Sequence, residues 1–187
     1  MNTFASASVR LAAIVHLAKQ MSARGGVGHT GIMKMIYLLQ ETKGFPLGYD
    51  FRLYTYGPYD AQVLEDLKVA QLRHAVASKA VDYQFGRGYQ IAAGEAAEEV
   101  ITKGELPSDL RRAIDQIVAD FGARSAADLE IIGTIIFADR AAARGKEKTT
   151  PEDLAGRVHD IKPYIADQRI LSEAQALKSK GLLESVP

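Results

Sequence analysis

Apolar residues recur at three- and four-residue spacing along most of this chain, and that period breaks between Gly44 and Tyr59, where aromatic residues stand among Gly and Pro. A chain so patterned builds its core from amphipathic helices and inserts a small β element early. Leu11, Ile14, Val15, Ala18 and Met21 form the stripe of a first helix, Ser8 to Ala23, ended by Gly25-Gly26. Ile32, Met35, Ile36 and Leu39 form a second behind Thr30 as N-cap, and Met33, Tyr37 and Leu38 widen its apolar face. Such width places it at the centre of the N-terminal core.

Within the aromatic break, period-two alternation over Tyr49–Tyr56 predicts a strand with Tyr49, Phe51, Leu53 and Thr55 on one face, and Asp50, Arg52, Tyr54 and Tyr56 on the other. Gly57-Pro58 stops it, with Pro58 expected in the first turn of a third helix carrying Val63, Leu64, Leu67 and Ala70 inward. Ala80–Phe85 and Tyr89–Ala92 read as a hairpin turned by Gly86-Arg87-Gly88, while Gln71–Lys79 follows no pattern. A short helix is expected over Gly94–Thr102.

Beyond Gly104–Pro107, the expected joint, every segment is helical in pattern. Leu110, Ile114, Ile117, Val118 and Phe121 make one stripe; Ser125 with Asp128 opens the next helix, Thr150-Pro151 with Asp153 another, and a last helix runs from Asp167 to Gly181. The expected fold is mainly α: a winged-helix-like N-terminal lobe with small β-hairpins over residues 1–103, and a helical lobe over 104–187 packed with it as one unit.

Composition narrows the chemistry. The chain has 187 residues without a single Cys, which removes thiol catalysis, disulfides and Cys-based metal sites and fits a reducing compartment. No apolar run reaches the roughly 20 residues of a membrane span and no signal-peptide pattern opens the sequence, so a cytoplasmic protein without a membrane partner is expected. His16, His29, His74 and His159 have no i, i+3 or i+4 pairing, no serine sits in a nucleophile elbow, and Gly25–Gly31 has His29 where a phosphate loop needs lysine. These readings name no catalytic residue, metal or cofactor and point away from an enzyme.

Charge weighs the remaining partners. The 23 Lys and Arg balance 23 Asp and Glu, and the third helix with its flanks, residues 59–74, holds three acids against two bases. A duplex repels such a helix, so DNA binding ranks second, with Arg87 at the hairpin tip as its candidate contact. Seven of the fourteen Phe and Tyr lie between Tyr37 and Tyr59, and tyrosine is enriched where proteins bind one another. The rings either pack this insert on the second helix or stand exposed as a recognition patch; the expected contact surface in the latter case is Tyr54, Tyr56 and Tyr59 with Asp60 and the acidic third helix, supported from the second helix by Lys34 and Gln40.

Lys34-Met35-Ile36-Tyr37-Leu38-Leu39-Gln40, followed by Tyr49-Asp50-Phe51-Arg52-Leu53-Tyr54-Thr55-Tyr56-Gly57-Pro58-Tyr59, resembles the uncharacterised bacterial YwgA-like proteins. The resemblance continues in Leu129-Glu130-Ile131-Ile132, Ile161-Lys162-Pro163 and Leu177–Leu183. More distantly, Lys-x-x-Tyr-x-x-Gln followed by Tyr-Gly-Pro is similar to the Panacea (SocA-like) antitoxin domain, from which the chain departs at Tyr59-Asp60, where that pattern has an aliphatic run. The Panacea resemblance implies a helical protein that neutralises a partner toxin; the YwgA-like one implies no established chemistry. Together these readings give a non-enzymatic protein-binding module, antitoxin-like or an accessory factor of a bacterial or phage-related system. The alternative is a winged-helix transcriptional regulator.

Overall fold

The structure, a computed structural model, describes residues 4–83 and 86–187, and of Tyr83, Gly86 and Arg87 the backbone alone. The fold is mainly α with two small antiparallel hairpins. In chain order come α1 (Ala7–Ser22), α2 (His29–Lys43), β1 (Arg52–Tyr54), β2 (Gly57–Tyr59), α3 (Ala61–Leu72), β3 (Val76–Tyr83), β4 (Gly86–Ala93) and α4 (Ala97–Lys103). Then follow α5 (Ser108–Phe121), α6 (Ala126–Arg144), α7 (Pro151–Ile161) and α8 (Asp167–Ser179). Among the described residues no helix is long and apolar enough to cross a membrane.

Contacts divide the chain into two units: Met1–Phe51 with Asp60–Ala126, and Arg52–Tyr59 with Ala127–Pro187. Both α4 and α5 fall in the first, so this division follows Ala126. In the first unit α1 packs on α3, α4, α5 and β4, and α2 is buried without interruption from Gly31 to Leu39. Ser6 caps α1, its hydroxyl accepting from the Val9 amide at 3.3 Å. Of the Gly25–Gly31 run, Gly25 to Gly28 belongs to the interhelical loop and His29 to Gly31 opens α2: Gly25 and Gly26 take φ of +91° and +92°, and Val27 exchanges two backbone bonds with Ile91 at 3.0 and 2.8 Å. That exchange ties the base of the β3–β4 hairpin to the α1–α2 loop. A Cβ on Gly26 would stand 2.9 Å from the Ile91 carbonyl, so glycine is what lets β4 approach.

Four local expectations are corrected. The N-cap of α2 is Gly28, which brings no side-chain bond, and Thr30 lies inside the first turn. The single strand over Tyr49–Tyr56 is instead a tight ribbon whose β1 and β2 pair around Thr55-Tyr56, with Gly57 at φ +84°. Pro58 faces Leu53 within β2, where a two-stranded ribbon tolerates its missing N–H, and α3 starts at Ala61 behind Asp60. Gly86 and Gly88 lie within β4, opposite Tyr83 and Val81, and β3 reaches back to Val76 through the unassigned stretch. Phe85 lies outside the described residues.

In the second unit α7 packs on α8. Thr150 and Asp153 form a reciprocal capping box around Pro151, and Gly181 at φ +66° follows α8. Asp139, fully buried on α6, accepts from the Glu184 and Ser185 amides at 2.9 Å and from the Ser185 hydroxyl at 2.7 Å, which fastens the chain end to α6.

Candidate functional site

In the first unit, the segment after α2 is held by polar side chains. Gln40 donates to the Tyr49 carbonyl at 3.1 Å and accepts from its amide at 3.2 Å, a clamp on backbone that belongs to neither helix nor strand. Asp60 caps α3 through the Gln62 amide at 2.8 Å and accepts from the Asp50 amide at 2.6 Å with its other oxygen. Lys34 is 2% exposed within the buried run of α2. Of the predicted contact residues, these three therefore lie within the first unit's framework, Gln40 and Asp60 as backbone anchors.

Nor does α3 present an acidic face. Asp66 turns inward, where its carboxylate takes the Tyr49 hydroxyl at 2.8 Å, the Arg10 guanidinium at 3.0 Å and the Gln62 amide at 2.8 Å. With Asp60 occupied as a cap, the exposed charges of α3 and its C-cap are Glu65, Lys68 and Arg73. Burial, then the neighbouring Asp66, pushes the Tyr49 phenol far above its ordinary range, so it stays a donor.

The second unit holds the predicted tyrosines. Tyr54 and Tyr56 are 59% and 69% exposed at the turn of the β1–β2 ribbon; Tyr59 is half-buried, its ring edge-on to Tyr54 at 5.4 Å. The residue that organises this turn escaped sequence reasoning. Lys162, 1% exposed just after α7, sends its ammonium to the Thr55 carbonyl at 2.6 Å, to the Tyr164 hydroxyl at 3.2 Å and to the Glu130 carboxylate. Tyr164 in turn donates to Glu130 at 2.9 Å while its ring stands 69% exposed. One buried cation thus holds the peptide between Tyr54 and Tyr56 and a third open tyrosine in one cluster, with Ile161 and Pro163 also exposed beside it. The available signals were Glu130 inside an apolar run and a Lys-Pro-Tyr turn directly after a helix.

The histidines stay apart. His16, 2% exposed, bonds Asp115 through Nε2 at 2.8 Å, while its Nδ1 has no hydrogen-bond partner among the described residues. Burial, with Arg111 and Lys19 adding, outweighs the Asp115 bond and lowers its pKa. His159 Nδ1 meets Asp167 at 2.6 Å beside a cleft of about 340 Å³ lined also by Glu152 and Asp160. The cleft thus sets one imidazole beside three carboxylates, Glu152, Asp160 and Asp167. Among the described residues no three His, Asp or Glu are placed to hold a metal ion. The Arg87 side chain, the predicted DNA contact, lies outside the described residues.

Compared with known families and curated proteins, the chain matches no family model and no curated relative.

Proposed function

We propose that this chain is a non-enzymatic, cytoplasmic protein-binding module, antitoxin-like or an accessory factor of a bacterial or phage-related system, in keeping with its YwgA-like and Panacea-like motifs. The observation that carries the reading is the tyrosine cluster: Tyr54, Tyr56 and Tyr164 stand open to solvent around one buried lysine. Large rings with polar tips, carried on a turn whose backbone Lys162 already holds, bring contact area at little entropic cost. A surface of this kind suits an apolar interface centre with a polar rim.

The test is capture of partners from the native host with the wild-type chain and with Tyr54→Ala/Tyr56→Ala. The double variant should weaken partner binding by about 2 kcal/mol or more, roughly thirtyfold, with an unchanged melting temperature. An unchanged partner set would remove the tyrosines from the reading.

The second reading, a winged-helix DNA-binding regulator, is favoured by one observation: with Asp66 turned inward, Lys68 and Arg73 outnumber Glu65 on the open face of α3. Micromolar duplex binding that falls steeply with salt would place it first.

A further inference from the structure

Independently of the tyrosine cluster, the geometry points to a binding site for a small aliphatic carboxylate in the first unit, in a cleft of about 280 Å³ between the start of α1 and the end of α4. Its apolar lining comes from Leu11 on α1 and from Ala96 and Val100 at α4. Its polar lining is Ser8, Arg73 at the C-cap of α3, and the Glu99–Lys103 pair on α4.

The charges select the ligand. Lys103 is engaged by Glu99, and its hydrogen bond holds that carboxyl below the ordinary carboxylate range. The Arg73 side chain makes no hydrogen bond or ion pair among the described residues, its amide alone being bonded, to the Val69 carbonyl. Of the three charged residues that line the cleft, Arg73 is thus the one whose charge has no ion-pair partner. A guanidinium presents a planar fork that matches a carboxylate edge-on, and the net single positive charge suits a monoanion better than a phosphate dianion, which would also face Glu99. The three apolar residues call for a short aliphatic body behind that carboxylate. The cleft is built into the packing: a Cβ on Gly104 would fall 2.5 Å from Ala12 and 2.8 Å from the Ser8 carbonyl, so the approach of α4 to α1 that forms it requires glycine there.

The probe is 3-methylbutanoate, titrated into the full ¹⁵N-labelled chain, with 3-methylbutanamide and inorganic phosphate as parallel ligands. The expected result is saturating amide shifts at Ser8, Leu11, Val100 and Gly104 at roughly millimolar acid, and far weaker shifts with the neutral amide. Arg73→Gln should weaken binding about tenfold, and Arg73→Lys should retain part of it. Equal binding of the amide, equal binding of phosphate, an unaffected Arg73→Gln variant, or no saturation at these positions would each overturn the assignment. The ligand comparison uses the wild-type chain, so the outcome does not hang on any variant's folding.

Discussion

Asp66 is the acid whose loss the first unit should feel most, because three side chains donate to it. Tyr49, 6% exposed, and Arg10 both reach the same carboxylate oxygen. Tyr49→Phe removes one bond and leaves Arg10 in place, so the expected loss is about 1 kcal/mol. Asp66→Ala strands a guanidinium and a buried phenol together, and about 3 kcal/mol is expected, read from urea unfolding of the two variants side by side. His16 adds a pH dependence whose sign follows from its environment. Its folded pKa lies below the ordinary histidine value of 6.5, so the unfolded chain binds the extra proton first. The stability it contributes is complete above 6.5 and declines as the pH falls through 6.5 towards the folded value. His29, lowered by burial, acts in the same direction. His16→Gln should flatten part of the fall in melting temperature between about pH 7 and pH 5; an unaltered slope would remove His16 as its source.

At the scale of elements, the capping box before α7 and the glycine beneath β4 are open to direct test. Thr150→Ala removes the acceptor for the Asp153 amide and should cost about 1 kcal/mol in thermal unfolding. Gly26→Ala has to relieve both a φ of +92° and the close Ile91 carbonyl, so hydrogen exchange at the Val27 and Ile91 amides should quicken well before that of α2. The helices were legible because each buries one stripe, and local spacing carries that signal: Leu110 to Phe121 and the Thr150-Asp153 start need nothing distant to be recognised. The first half of β3 was not, since Ala77, Ser78, Lys79 and Ala80 are all exposed and no alternation marks the strand. Gly86 and Gly88 read as a turn because glycine in a strand leaves the same mark in sequence as glycine in a bend. The site was legible only in part. An exposed tyrosine turn follows from aromatic residues beside Gly57, whereas Lys162 meets Thr55 across 107 positions and Arg10 meets Asp66 across 56, pairings no local pattern records.

Across the whole molecule, the path of the chain carries its own consequence, since the second unit draws Arg52–Tyr59 from the middle of the first unit's sequence. Residues 127–187 alone therefore contain Lys162, Glu130 and Tyr164 but not the Thr55 carbonyl that takes one of the ammonium's bonds. Burying an ammonium costs free energy that its hydrogen bonds have to offset, and Lys162 is 1% exposed. The isolated 127–187 fragment should consequently melt at lower temperature and with less cooperativity than the same helices in the full chain. Asp139 offers the comparison within that fragment, because its bonds to Glu184 and Ser185 lie wholly inside residues 127–187 and stay available. Far-UV circular dichroism of the fragment, with and without Lys162→Met, separates the two contributions: removing the charge should recover part of the lost stability in the fragment and reduce stability in the full chain. The same sign of effect in both would mean that the missing ribbon does not act through Lys162.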